Sequence, residues 1–220
     1  MRASVIWHPA LPSPALPSAG TVHAIRVAGQ ALALWRSATG QVQAWEDRCP
    51  HRGVALSLGR VLGDRLACAY HGWEYAEGSG RCVAIPAMPH QPVPGKVCVK
   101  TYAAVERQGM VWVRLDGEAT ASPADDSPGE APLRFLRSIA VAAPRSTIDT
   151  GLAAQGFSPA GPCQWRGQKA GHVLRLWVLD AATDWCLLHV ASEATPSDAN
   201  TGELFNALRI LRDRLAHPRS

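Results

Sequence analysis

Two short segments carry the residues best suited to metal chemistry. Cys49-Pro50-His51 sets a thiol and an imidazole two positions apart; after sixteen intervening residues, Cys68-Ala69-Tyr70-His71 sets a second thiol and imidazole three apart. Thiolate is a soft metal ligand and imidazole an intermediate one, so each pair is a half-site for a transition metal. The chain has only six cysteines and eight histidines, so two such pairs in the same order are a poor fit to accident. Two unrelated surface pairs would be the bland alternative.

The pairing within each segment separates two metal sites. A Cys2His2 zinc site groups its cysteines in one motif and its histidines in another. A Rieske [2Fe-2S] centre binds one iron through two thiolates and the other through two imidazoles, so each of two facing loops must reach both irons. One thiol and one imidazole per loop is the second arrangement, and zinc remains the alternative. The other cysteines, Cys82, Cys98, Cys163 and Cys186, make the count even. Met1 to Gly20 holds four prolines and no apolar core of the kind an export signal needs, so metal chemistry comes before disulfides. Cys82 and Cys98 read as core residues of the cluster domain, and Cys163 and Cys186 as buried or free thiols.

Loops that hold a cluster need a rigid frame. From Thr21 to Ala44 three apolar runs, Val22 to Val27, Ala31 to Trp35 and Gln41 to Ala44, are broken by Ala28-Gly29-Gln30 and Ala38-Thr39-Gly40, a strand meander. A second β block spans Lys96 to Leu115, with Val97 and Val99 alternating with Cys98 and Lys100, then Val111, Val113 and Leu115 with Trp112 and Arg114. The glycine-rich stretch between, Cys49 to Pro86, follows neither period and reads as a long functional loop. Gly117 to Pro132 carries a charge of −4 and no apolar period, and reads as a linker. Beyond it, strands are expected at Phe135 to Ala142, Val173 to Leu179 and Trp185 to Val190. A helix is expected from Thr201 to about Leu215, with Leu204, Ala207, Leu208, Leu211 and Leu215 as its stripe and Asn200 and Glu203 as a capping pair.

The composition, 47% hydrophobic against 18% charged, is that of a globular chain. No apolar run is long enough to span a membrane, which together with the N-terminus points to a cytoplasmic protein. Net charge is +4, but the basic residues are dispersed, which leaves nucleic-acid binding without a footprint.

The run from Asp47 to Ala87 resembles the cluster-binding segment of Rieske non-haem iron oxygenases, particularly the vanillate O-demethylase type. The matching features are Cys-Pro-His-Arg-Gly, the following Leu-Gly, Gly63-Asp64, Tyr-His-Gly-Trp and Gly80-x-Cys82-x-x-Ile85-Pro86. The resemblance extends from about Val5 to Leu115. It implies that Cys49, His51, Cys68 and His71 are the ligands of a [2Fe-2S] cluster, that Gly53 and Gly72 let the loops close, and that Trp73 shields the cluster from water. The implied fold is a β-rich Rieske domain, an antiparallel meander or sandwich over residues 1–116. A linker over 117–132 and a small α+β appendage over 133–220 follow it.

The second half departs from the family. Oxygenases of this type hold a mononuclear iron on two histidines about five apart and a later carboxylate. Here His90, His172, His189 and His217 have no such spacing. His172, His189 and Asp184 make a weak substitute triad, and Ala194 to Phe205 faintly resembles a late segment of the oxygenase catalytic domain, of which residues 133–220 would be a reduced remnant. The expectation is an oxidoreductase component with no catalytic residues of its own. It would take electrons from a flavin or ferredoxin reductase and pass them to a catalytic oxygenase subunit, within an oligomer. It would not be active as an isolated chain. A stand-alone Rieske ferredoxin and a non-enzymatic redox sensor are the alternatives.

One electronic expectation follows from the loops. Respiratory Rieske proteins have extra cysteines where this chain has Val54 and Tyr70, and a serine where it has Trp73. Without that disulfide and hydroxyl, the potential should lie near the low end of the Rieske range of about −150 to +300 mV. Tyr75 or backbone N–H groups are the donors that could compensate.

Overall fold

The computed structural model describes residues 7–16, 20–116, 123, 133–193 and 198–217. In chain order its elements are β1 (His8–Pro12), β2 (Val22–Val27), β3 (Gln30–Arg36), β4 (Val42–Glu46), β5 (Arg60–Leu62), β6 (Arg65–Ala67), β7 (Glu74–Ala76) and β8 (Cys82–Ala84). They continue with β9 (Thr101–Arg107), β10 (Met110–Arg114), β11 (Arg134–Val141), α1 (Arg145–Ala154), β12 (Ser158–Gly161), β13 (Gln164–Lys169), β14 (His172–Ala182), β15 (Trp185–Ser192) and α2 (Asp198–Ala216). The chain divides into two compact units, one of Met1–Arg26, Gln30–Glu106 and Met110–Thr120, the other of Val27–Gly29, Arg107–Gly109 and Ala121–Ser220.

The first unit has a six-stranded sheet in the order β1-β10-β9-β4-β3-β2 and a four-stranded sheet in the order β5-β6-β7-β8. β1 carries Pro9 and Pro12, which suits the edge position it occupies, because an edge strand has one side free of ladder bonds. Ala33 and Trp35 of β3, Trp45 of β4, Leu66 of β6 and Tyr75 of β7 join one apolar cluster with Cys49 and Cys68. The Trp35 and Trp45 rings meet edge to face at 4.9 Å. The two cysteines are therefore anchored in the core while the residues after them lead outward.

Three expectations for this unit are corrected. The segment Cys49 to Pro86 is not a long loop: it contains β5, β6, β7 and β8, each only three residues. Strands that short complete barely one alternation and leave no period to read. Lys96 to Lys100 is not a strand either; its only ladder contact is a single bridge from Cys98 to Arg81, and the strand begins at Thr101. Cys98 is exposed, not a core residue, whereas Cys82 is buried as expected.

The second unit is a five-stranded antiparallel sheet, β11-β15-β14-β13-β12, with two helices. Alternate residues of β14 and β15, Leu174, Leu176, Val178 with Cys186, Leu188, Val190, form one core with Ile148 and Leu152 of α1 and Leu204, Leu208, Leu211 and Leu215 of α2. That stripe on α2 is the expected one but for Ala207, which is half-buried, and the helix starts at Asp198, which puts Asn200 inside it and not at its cap. The helix α1 carries no side-chain cap, a Pro144 before its first residue and only Ile148 and Leu152 buried, a pattern too sparse to mark a helix in sequence. The expected linker, Gly117 to Pro132, lies outside the described residues except for Pro123, as do residues 194–197 of the Ala194 to Phe205 segment. No described helix is long and apolar enough to cross a membrane.

Candidate metal centre

Each thiol and imidazole pair sits on a loop of the same design. In the first, the Cys49 N–H donates to the Val54 carbonyl at 2.8 Å and the Gly53 N–H returns to the Cys49 carbonyl at 2.8 Å. In the second, the Cys68 N–H donates to the Trp73 carbonyl at 2.9 Å and the Gly72 N–H returns to the Cys68 carbonyl at 3.1 Å. Gly53 and Gly72 occupy equivalent places at φ of 75° and 69°, a left-handed conformation that a side chain would strain. The first loop follows β4 and is pinned by Asp47, whose carboxylate accepts from the Ser57 N–H and hydroxyl, both at 2.7 Å. The second loop joins β6 to β7, two paired strands of the four-stranded sheet.

The loops bring like donors together. The Nδ1 atoms of His51 and His71 stand 3.1 Å apart at the surface end, while Cys49 and Cys68 are both buried below. The Cys68 thiol is pushed up from its ordinary pKa by burial first, and by its hydrogen bond and charge interaction with Cys49; backbone hydrogen bonds from Tyr70 and His71 oppose this. His51 is lowered, by desolvation first and then by His71 and Arg52, which favours the neutral imidazole that binds metal. Among the described residues, no group of three His, Cys, Asp or Glu side chains closes on one metal ion. Two thiols on one side and two imidazoles on the other is the arrangement in which each iron of a Rieske centre takes one kind of donor.

Aromatic rings frame the imidazoles. Trp73 stacks on His51 at 4.1 Å with the planes 6° apart, and Tyr70 stacks on His71 at 3.8 Å. Trp73 thus covers one imidazole face, as a shielding residue must. Tyr75 is fully buried, and its hydroxyl lies 3.1 Å from the Cys49 sulfur. Burial, and then the hydrogen bond to Cys49, push its phenol up.

The alternative triad does not assemble. His189 pairs with Trp177 of β14, five positions from His172, which at strand spacing is about 17 Å. His189 is buried with its Nδ1 2.7 Å from the Ser138 hydroxyl, and Asp184 lies in the turn between β14 and β15. All six cysteines are free thiols; Cys163 is half-buried beside Arg145, at 3.6 Å, and Cys186 is buried.

Comparison with known proteins places the cluster region in a family. A model described as the Rieske [2Fe-2S] domain matches residues 6–121. The oxidoreductase NdmD of Pseudomonas putida is 41% identical over 117 residues, 53% of this chain and 20% of that protein. The vanillate O-demethylase oxygenase subunit of a Pseudomonas species is 41% identical over 99 residues, 45% of this chain and 27% of that protein. The chain therefore covers only a fifth to about a quarter of these two relatives' lengths. The solved structure of NdmA from Pseudomonas putida CBB5 superposes on 97% of this chain and 79% of its own, with a TM-score of 0.70 at 22% identity, a likeness of fold.

Proposed function

The chain belongs to the Rieske [2Fe-2S] domain family, and on that premise we propose that it is the electron-transfer component of a non-haem iron oxygenase whose catalytic iron sits on a partner chain. The cluster, when bound, supplies a one-electron carrier. In this reading Cys49 and Cys68 are its thiolate ligands and His51 and His71 its imidazole ligands, through the Nδ1 atoms that face each other. The observation that carries the assignment is that separation of donors into a buried thiol pair and an outward imidazole pair. Around it, Tyr75 holds a proton against Cys49, Trp73 keeps water from one face of His51, and the exposed His71 edge leaves a side open to a partner.

The oxidoreductase role is that of the family; the division of labour is this chain's own. No pair of histidines here has the spacing of a mononuclear iron motif, and His172 and His189 stand apart in the sheet. The likeness of fold to NdmA across nearly the whole chain supports reading the second unit as built on an oxygenase scaffold. A flavin or ferredoxin reductase is the donor in this scheme, and the setting is an oligomer in the cytoplasm.

Reconstitution tests it. The holoprotein, a flavin reductase and a candidate chain with a two-histidine, one-carboxylate iron motif should together oxygenate substrate at the expense of NAD(P)H, and omission of any one should abolish turnover. Turnover by this chain and a reductase alone would overturn the division, and a redox sensor would support no turnover in any mixture.

A further inference from the structure

We propose that a cationic groove beside the first ligand loop is the docking site for an acidic electron-donor protein; this rests on the electron-transfer reading above. The groove, of 460 Å³, is lined by Cys49 and His51 themselves together with Arg48, Arg52, Lys100 and Glu46. The three cations are exposed, and none is in an ion pair among the described residues. Arg48 folds back over the loop: its Nε would stand 3.5 Å from a Cβ added at Gly53. The Lys100 ammonium is held over the Tyr102 ring, 4.9 Å from its centre.

The second ligand loop is different. There Tyr70 is 62% exposed, and Arg65 at the start of β6 is neutralised by Glu74 at 3.2 Å and Asp64 at 3.5 Å. The groove thus gathers three exposed cations beside His51. A protein partner with a carboxylate patch would be drawn to this side and oriented by it, with its own redox group facing His51. A nucleic acid is a poor occupant, because three cations and a carboxylate in a short groove do not track a phosphate backbone.

Calorimetric titration of the holoprotein with an oxidised, acidic plant-type ferredoxin tests this without any turnover. Binding should weaken on the order of tenfold between about 20 and 200 mM salt, as screening shortens the field. Arg48→Glu/Arg52→Glu should weaken it on the order of tenfold at low salt and flatten the salt dependence. Lys100→Glu, which leaves the ligand loops untouched, should act in the same direction, and basic cytochrome c should respond with the opposite sign. Equal affinity of wild type and variants for the ferredoxin would overturn the proposal. The visible spectrum of each protein is recorded first: a chain without an iron–sulfur spectrum would contradict the electron-transfer reading itself, whereas an intact spectrum with indifferent binding would contradict only the groove.

Discussion

The Tyr75 hydroxyl lies 3.1 Å from the Cys49 sulfur, inside the apolar cluster that buries both residues. A donor to a ligand sulfur stabilises the added negative charge of the reduced state and raises the potential. The loops lack the serine hydroxyl of respiratory Rieske proteins, with Trp73 in its place, so Tyr75 is the side-chain donor that remains. Tyr75→Phe should lower the midpoint by roughly 20–60 mV, the equivalent for one electron of a net hydrogen bond of about 0.5–1.5 kcal/mol. Protein-film voltammetry at pH 7 measures it, and the wild-type midpoint should stay below about +100 mV. An unchanged midpoint would show that the hydroxyl does not act on the sulfur.

Trp73 lies flat on His51, 4.1 Å away, and excludes water from that face. Replacement by alanine removes a ring stack worth about 0.5–1.5 kcal/mol, so the visible absorbance should bleach up to roughly tenfold faster in the presence of an iron chelator. Equal bleaching rates would mean that the stack protects nothing.

Gly72 combines a φ of 69° with Pro86, whose Cγ would stand 3.1 Å from an added Cβ. Gly72→Ala should cost about 1–2 kcal/mol and reduce the iron bound per chain, because the strain falls on a ligand loop. Gly40, at φ of 84° in an open turn, is the control: Gly40→Ala should lower the Tm while iron content holds. Iron analysis and thermal melts of the two variants decide, and equal iron loss in both would contradict the loop argument.

In the second unit Glu193 accepts from Arg166 at 2.7 and 2.8 Å and from Arg175 at 3.1 Å. The Arg166 hydrogen bonds first, and then Arg175, hold its pKa down to about 2 from an ordinary 4.5. A depressed carboxylate stabilises the fold above its unfolded pKa, and the contribution is lost as pH falls from about 4.5 to about 2. The side chains are partly solvated, so Glu193→Gln should cost only about 0.5–1 kcal/mol at pH 7. The gap from wild type in denaturant midpoint should close near pH 2, and a gap independent of pH would contradict the assignment.

What could be read from the residues alone was uneven, for physical reasons. Cys49, His51, Cys68 and His71 stood out because ligand chemistry depends on residue type and spacing, and the structure sets the two imidazoles 3.1 Å apart. β14, β15 and α2 were legible because eight or more residues of regular burial leave a period. The strands β5 to β8 were not, since three residues cannot show one, and α1 was not, since Ile148 and Leu152 are its only buried residues. Cys98 was misplaced because alternation tells which residues share a side, not which side faces the core; Val99 takes the buried one. Tyr75 was visible only as a nearby hydroxyl, and its contact with Cys49 depends on how β7 packs against the first loop.

The most direct test of the central claim is the electron paramagnetic resonance spectrum of the dithionite-reduced protein, taken with its iron and sulfide content. Mixed ligation by Cys49, Cys68, His51 and His71 predicts about two irons and two sulfides per chain and a rhombic signal whose g average lies below the free-electron value. A folded, colourless protein holding one zinc per chain, with no signal on reduction, would contradict it.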